Sequence, residues 1–300
     1  MKRKPRVFHA ADCALIAAAL TFTLLDTFVI RRSYVTVEAR EPVTDTNVVQ
    51  TAAKEAVITD TSYQDENISI EISEYEYLDT VIHVADVQLA SVDYLYAALA
   101  DNTYGKNVTA KTSEMAEENN AILAINGDYY GARNSGYVLR NGILYRDSAA
   151  SGSQEDLVIN SDGSFSIVSE GTVDAQSAAE NGALQIYSFG PALIINGEIA
   201  VDAGDEVGKA KSSNPRTAVC EIEPLHYLFV VSDGRTDESE GLSLLELAQF
   251  LEQFDVKTAY NLDGGGSSTM IFNGELVNYP TTSGSRISER SVSDALCIGY

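Results

Sequence analysis

Tyr260-Asn-Leu-Asp-Gly-Gly-Gly-Ser-Ser-Thr-Met270 is the stretch on which the reading of this chain turns. An apolar approach carries an Asn and an Asp into three consecutive glycines. Two serines and a threonine follow, and the chain is apolar again at Met270–Phe272. Glycine has the most backbone freedom to lose on ordering, so three in a row between two apolar strands mark unusual backbone angles or a close approach. Asn261, Asp263, Ser267 and Ser268 supply amide, carboxylate and hydroxyl groups, and Gly264, Gly265 and Gly266 supply N–H groups. Together they suit a polar, anionic ligand. A phosphate-cradling P-loop needs Lys and Ser/Thr after its last glycine, and Ser267 follows here with no lysine near. A dinucleotide fingerprint needs spaced glycines opening a helix, whereas these are contiguous and precede a strand. Gly-x-Ser-x-Gly, the serine-hydrolase elbow, is absent.

Outward from this loop the chain reads as many short strands. Ile68–Ile72 alternates apolar and polar residues, as a half-buried strand does, and Val81–Leu89 reads as another. Ala121–Ile125 is a buried strand running into Asn126-Gly127. Gly136–Leu139, Leu157–Ile159 and Ala192–Ile195 each precede an Asn-Gly or Asp-Gly turn signal. Phe229–Val231 ends at Ser232-Asp-Gly-Arg235, and Leu276–Asn278 and Ala295–Ile298 come last. Ser113–Asn120 predicts a short helix. Leu244 to Phe254 predicts a longer one, capped by Ser243 and Glu246, with Leu244, Leu247, Ala248 and Leu251 on one core-facing stripe. The expected class is α+β: a β-rich mixed sheet domain with few helices.

The chain has 300 residues, and its net charge of −24 argues against nucleic acid or an anionic membrane surface as a partner. At the N-terminus Lys2, Arg3, Lys4 and Arg6 precede an apolar run from Ala10 to Ile30, closed by Arg31 and Arg32. Its length and charge asymmetry predict a single transmembrane signal-anchor over residues 1–32, cytoplasmic at its tip, with the remainder outside; a cleaved signal peptide is the rival reading. Residues 33–66, without glycine or a sustained apolar period, predict a flexible stalk. The domain proper is expected over 67–300. Cys13, Cys220 and Cys297 are too few for a disulfide scaffold; Cys220 and Cys297 pair only if their strands are neighbours. Neither a His/Cys zinc pattern nor a His-based triad is indicated.

Polar clusters sit at the ends of apolar strands: Asn126-Gly-Asp-Tyr-Tyr130, Asn214-Pro-Arg-Thr217, Ser232-Asp-Gly-Arg235, Asn261–Ser268 and Ser288-Glu-Arg-Ser-Val292. Taken singly, each reads as a turn, a surface ion pair or a strand-end packing residue. Jointly they read as loops aimed by rigid strands into one cleft.

In sequence order, Ala124-Ile-Asn-Gly-Asp-Tyr-Tyr130, Asn214-Pro-Arg-Thr-Ala218, Val231-Ser-Asp-Gly-Arg235, Gly241-Leu-Ser-Leu-Leu-Glu-Leu-Ala248, Asn261–Ser268 and Arg290-Ser-Val-Ser-Asp-Ala-Leu296 resemble the phosphodiester glycosidase family. The resemblance covers residues 67–300 and departs at Ser291, where the pattern has proline. Lysosomal members of that family remove N-acetylglucosamine from a sugar-phosphate diester, and bacterial members are associated with exopolysaccharide or envelope metabolism. The resemblance implies a hydrolase cleaving sugar-1-phosphodiesters outside the cytoplasm; a non-catalytic module binding anionic surface glycans is the alternative. Such cleavage, at the anomeric carbon, needs a cation for the phosphate and a carboxylate for the sugar cation or for water. Arg216 and Arg235, supported by Arg290, are expected to hold the phosphate. Asp263 is the leading carboxylate, with Asp233 and Asp128 as alternatives. Asn126, Tyr129, Asn261, Gly264, Gly265, Gly266, Ser267 and Ser268 are expected to contact substrate. No cofactor is expected, although Asp128, Asp233 and Asp263 together could hold a hard cation such as calcium.

Overall fold

The structure, a computed structural model, describes residues 7–28, 34–37, 56–206 and 213–300. Residues 1–6, expected as a cytoplasmic tip, residues 29–33 with Arg31 and Arg32, and residues 38–55 of the expected stalk lie outside the described residues. Val7–Phe28 is helical, where the apolar run predicted a helix. Among the described residues no helix is long and apolar enough to cross a membrane, so the expected transmembrane signal-anchor is not shown.

Two sheets form the body of the domain. The larger has nine strands. From one edge it runs Glu198–Ile199, Ala192–Ile195, Thr258–Asn261, Arg216–Glu223, His226–Ser232, Val81–Leu89, Ile68–Glu76, Ser62–Gln64, Val57–Ile58. The second has five strands, in the order Glu275–Leu276, Met270–Phe272, Ala121–Asn126, Asp294–Gly299, Leu95–Leu99. A third sheet, of five strands between Val138 and Tyr187, is inserted between the strands Ala121–Asn126 and Ala192–Ile195. All strand pairs among the described residues are antiparallel. The expected mixed sheet is therefore corrected to antiparallel ones, in keeping with the short turns that join many strands. The expected stalk needs correction as well: Val57–Ile58 and Ser62–Gln64 add edge strands beside Ile68–Glu76.

The two main sheets pack face to face. Ile68, Ile70, Val87, Phe229 and Val231 of one meet Leu123, Ile125, Met270, Leu296 and Ile298 of the other in one buried cluster. The helix Leu244–Leu251 covers the outer face of the nine-stranded sheet through Leu244, Leu247, Ala248 and Leu251. Its expected capping box forms: Ser243 Oγ accepts from Glu246 N–H at 3.1 Å, and Glu246 Oε2 accepts from Ser243 N–H at 2.7 Å. Thr112–Glu118 covers the other sheet through Met115 and Ala116. Cys220 and Cys297 are buried free thiols on different sheets.

Register places the polar clusters at one end of this sandwich. Arg216 begins its strand opposite Ser232, where the neighbouring strand ends. Asn261 ends its strand opposite Ala218. In the facing sheet Asn126 ends opposite Ala295, and Met270 begins opposite Ile125. The loop 262–269 thus leaves the nine-stranded sheet and enters the five-stranded one, crossing the end of the core.

Candidate active site

The glycine loop is held from below by Asn126. This fully buried amide donates to Asp263 O at 2.6 Å and to Gly127 O at 3.2 Å. Its Oδ1 accepts from Thr217 Oγ1 at 2.8 Å and from Thr269 N–H at 3.1 Å. Asn126 is therefore the tie joining both sheets to the loop, and the structure does not put it on the cavity wall.

The glycines serve packing. Gly265 has φ +63°, in the left-handed region, and its N–H donates to Pro215 O at 2.8 Å. Gly264 lies so close to Pro215 that a β-carbon would stand 2.9 Å from its carbonyl oxygen. A β-carbon on Gly265 would stand 2.7 Å from Arg235 Nη2, and one on Gly266 would stand 2.8 Å from Arg290 Nη2. The expected cradle of open N–H groups gives way to a seat for two arginines, since the N–H of Gly265 is already bonded.

A cavity of about 150 Å³ opens here, lined by Asn261, Asp263, Gly264, Gly265, Arg216, Arg235 and Arg290 with Phe189 and Asn214. Arg235 donates from Nη2 to Asn214 Oδ1 at 2.9 Å and from Nη1 to Thr282 O at 2.9 Å. Neither Arg235 nor Arg290 forms an ion pair with a carboxylate among the described residues. Burial and the neighbouring charges of Arg290 and Arg216 hold the Arg235 pKa below its ordinary value. Three like charges in one small space create a demand for an anion. Arg216 is more compensated: it pairs with Glu206 at 2.7 Å and donates to Leu242 O at 2.7 Å.

Asp263 faces this arginine group, and burial raises its pKa above the ordinary carboxylate value. The Ser267 hydroxyl and the Arg290 charge work in the opposite direction. Ser267 Oγ stands near enough to favour the charged carboxylate, yet makes no hydrogen bond of good geometry. Asn261 donates to Gly190 O at 2.9 Å, while its buried Oδ1 has no partner. The hydroxyls of Ser267 and Ser268 are buried without partners and do not line the cavity.

Three other expected site residues lie apart from the cavity. Asp128 is buried in a salt-bridge triad: Arg140 Nη2 lies 2.8 Å from Asp128 Oδ2, and Arg140 Nε lies 2.7 Å from Asp294 Oδ2. Asp128 also accepts from the N–H groups of Tyr130 and Ser188. Burial raises the Asp294 carboxyl above its ordinary value, against the pull of Arg140. Asp233 accepts from Asn278 Nδ2 at 3.1 Å and Tyr279 N–H at 2.8 Å, and stands 3.5 Å from His83 Nε2. Tyr129 is 48% exposed and lies off the cavity. Asp128, Asp233 and Asp263 therefore do not converge, and among the described residues no group of three or more His, Cys, Asp or Glu could hold a metal ion. Phe189 and Asn214 join the wall without having been singled out. Asn214 was legible as part of its cluster, while Phe189 is brought in by the inserted sheet and carries no local signal.

The family model for phosphodiester glycosidase matches residues 119–299. N-acetylglucosamine-1-phosphodiester alpha-N-acetylglucosaminidase of Homo sapiens is 31% identical over 193 residues, which cover 57% of this chain and 36% of that protein. The Mus musculus enzyme of the same name is 48% identical over 66 residues, 22% of this chain and 13% of that protein. SPbeta prophage-derived uncharacterized protein YomE of Bacillus subtilis is 27% identical over 192 residues, 62% of this chain and 29% of that protein. The chain thus spans at most 36% of the length of these relatives. Among solved structures, the zebrafish N-acetylglucosamine-1-phosphodiester alpha-N-acetylglucosaminidase catalytic domain, auto-inhibited by its pro-peptide, has a TM-score of 0.62 at 20% identity, covering 92% of this chain and 90% of that one. A putative exported protein of Burkholderia pseudomallei has a TM-score of 0.53 at 16% identity, with coverage of 73% and 74%. These two likenesses speak to the fold. The sequence match extends over more than half of the chain, including the glycine loop and both of its arginine partners, and the chain belongs to the phosphodiester glycosidase family.

Proposed function

We propose that the protein hydrolyses glycosyl phosphodiesters, cleaving the bond between the anomeric carbon and the phosphate oxygen. One observation carries this reading: Asp263 shares a cavity with Arg235 and Arg290, two arginines without a carboxylate partner among the described residues. Bidentate guanidinium contacts hold the phosphate. As the anomeric C–O bond breaks, its electron pair leaves on the phosphate, and Arg235 and Arg290 stabilise the charge that gathers there. Asp263, ionised, faces the oxocarbenium-like carbon and takes the proton of the water that adds to it. The products are a free sugar and a phosphate monoester. The reaction in this reading uses no cofactor, so EDTA is expected to leave the rate unchanged.

The test is release of sugar from a panel of sugar-1-phosphodiesters by the purified protein and by Asp263→Asn. Cleavage by the parent protein and loss of at least a thousandfold in kcat with Asp263→Asn support the reading. If neither protein releases sugar but both bind the diesters, the domain is a binding module for anionic glycans.

We propose separately that the protein works at the cell membrane, with the domain outside and its substrate in envelope or exopolysaccharide metabolism. Leu15, Ile16, Leu20 and Phe22 are each at least 60% exposed on the N-terminal helix, an apolar surface that a bilayer would cover. Membrane fractionation and protease protection of the tagged chain test this.

A further inference from the structure

Phe189 is the one aromatic residue among the described residues that line the cavity around Asp263. Tyr129 stands off that cavity, and Tyr130 is buried against Tyr104, their ring centroids 5.3 Å apart. Phe189 follows Ala183–Tyr187, the strand by which the chain leaves the inserted sheet, and it is firmly held. Its N–H donates to the Tyr260 hydroxyl oxygen at 2.8 Å, and its carbonyl accepts from Gln154 Nε2 at 3.2 Å. The guanidinium of Arg133 lies over its ring, 5.1 Å from the centroid, and donates from Nη1 to Ser188 O at 3.0 Å. A group fixed in this way has little freedom left to lose when a ligand packs on it.

The cavity is divided by chemistry. Arg235 and Arg290 supply cations, and Asn214 holds Arg235 in place. Phe189 and Asn261 belong together on the wall: Asn261 Nδ2 donates to Gly190 O at 2.9 Å, which ties the amide to the residue after Phe189. That bond sets the amide's orientation and makes Oδ1 a buried acceptor with no partner. An ionised phosphodiester carries no hydrogen to give it, so the group this oxygen suits is a hydroxyl or an amide N–H. An aromatic ring beside such an acceptor matches a sugar, which has C–H faces to pack and a rim of hydroxyls to bond. The space has about 150 Å³ against roughly 300–1,000 Å³ for ordinary small-molecule sites, and so suits a single sugar ring.

Resting on the hydrolase reading above, we propose that Phe189 is the platform for the glycosyl ring, offering the face turned away from Arg133, and that it determines which sugars are accepted. Sugars that lay a face of C–H groups on the ring bind well. Those that turn a hydroxyl into that face lose the contact.

Calorimetry on the full chain tests the platform without relying on turnover. The probes are methyl phosphate, which carries the anion alone, and the 1-phosphates of glucose, galactose and N-acetylglucosamine. The proteins are the parent, Phe189→Leu and Phe189→Tyr. At least one sugar 1-phosphate is expected to bind the parent about tenfold more tightly than methyl phosphate, the worth of one good ring contact. Phe189→Leu keeps an apolar side chain without a ring face, and should close that gap to about twofold while methyl phosphate binds as before. Phe189→Tyr keeps the ring and should keep the gap. Equal binding of all the phosphates by the parent, or a gap that survives in Phe189→Leu, overturns the platform. In the parent protein itself, nuclear Overhauser contacts should run from the Phe189 ring to the C–H groups of one sugar face, and their absence overturns the platform whether or not the variants fold.

In turnover, Phe189→Leu should raise KM for sugar-1-phosphodiesters about tenfold with kcat within about threefold, the mark of binding shared by ground and transition states. A fall in kcat with KM unchanged would make Phe189 a support for Asp263 and would also overturn the platform. No turnover by the parent, with the ring-dependent preference in binding intact, would count against the hydrolase reading and leave the platform standing.

Discussion

Arg235 rests its guanidinium against the backbone of Gly265, with Nη2 2.7 Å from the point where a β-carbon would stand. The glycine at φ +63° and the arginine, itself at φ +65°, are two halves of one arrangement. Gly265→Ala should cost about 1–2 kcal/mol in stability, since alanine resists that backbone region. Its larger effect should be on activity: the methyl group pushes Arg235 aside, and misplacing a charge-binding group by about 1 Å can lower the rate on the order of 100-fold. Thermal melts and kcat/KM on a sugar-1-phosphodiester check this. An active variant with the parent's kcat/KM would sink the seat-for-arginine reading.

Arg290 has two separable effects. It contributes to phosphate binding, so Arg290→Ala should raise KM by about 10–100-fold, the worth of a charge-assisted hydrogen bond. It also favours the ionised form of Asp263, whose pKa burial raises. Asp263 acts as a carboxylate in the proposed reaction, so activity is lost as pH falls through its pKa. Removing Arg290 should move that acid limb to higher pH. A pH profile of kcat/KM with an unmoved acid limb would mean that Asp263 and Arg290 are not electrostatically linked.

Asp128 and Asp263 looked alike in sequence, each an Asp beside Gly after an apolar strand, and mutation should separate them. Asp128 neutralises the buried Arg140. Breaking a buried pair by removing one partner costs about 3–5 kcal/mol, so Asp128→Ala should melt well below the parent. Asp263→Asn should melt near the parent and lose its turnover. If the two variants exchange these phenotypes, the assignment of roles is reversed.

The contrast shows what the sequence could carry. Ile68–Ile72 and the capped helix at Leu244 were legible because their signals are local: alternation over one strand, a Ser–Glu pair beside an apolar stripe. The glycine loop was legible as a site because three glycines between strands have few other uses. Arg140 was not singled out. It reads as one polar residue in a short strand, and its partners Asp128 and Asp294 are joined to it by the way sheets pack, which no local pattern records. The helix Ala175–Glu180 escaped for the opposite reason, being too short to show a periodic stripe. The N–H groups of the glycine loop were expected to face a ligand, and only the register of Pro215 against Gly265 shows where one of them goes.

Asp156 offers a test in stability alone. It is fully buried in the inserted sheet, and neither carboxylate oxygen has a hydrogen-bond partner. Burial first, and then the charge of Glu170, push its pKa up to about 9. Glu170 is itself committed to the N–H groups of Tyr137 and Ser151 and to the Ser188 hydroxyl, so it offers Asp156 no compensating charge. In the unfolded chain Asp156 ionises near the ordinary value of 3.8. Between these two values the folded state binds more protons than the unfolded one, and stability falls as pH rises. The contribution is fully present below about pH 4 and is lost as pH climbs through about 9. Asp156→Asn removes the titration while keeping shape and polarity. It should melt higher than the parent at pH 8, by about 1–3 kcal/mol, on the order of 5 °C for a domain of this size. The difference should shrink towards zero as pH is lowered to 4. Parallel melting curves at the two pH values would show that Asp156 is charged in the fold and would overturn this reading.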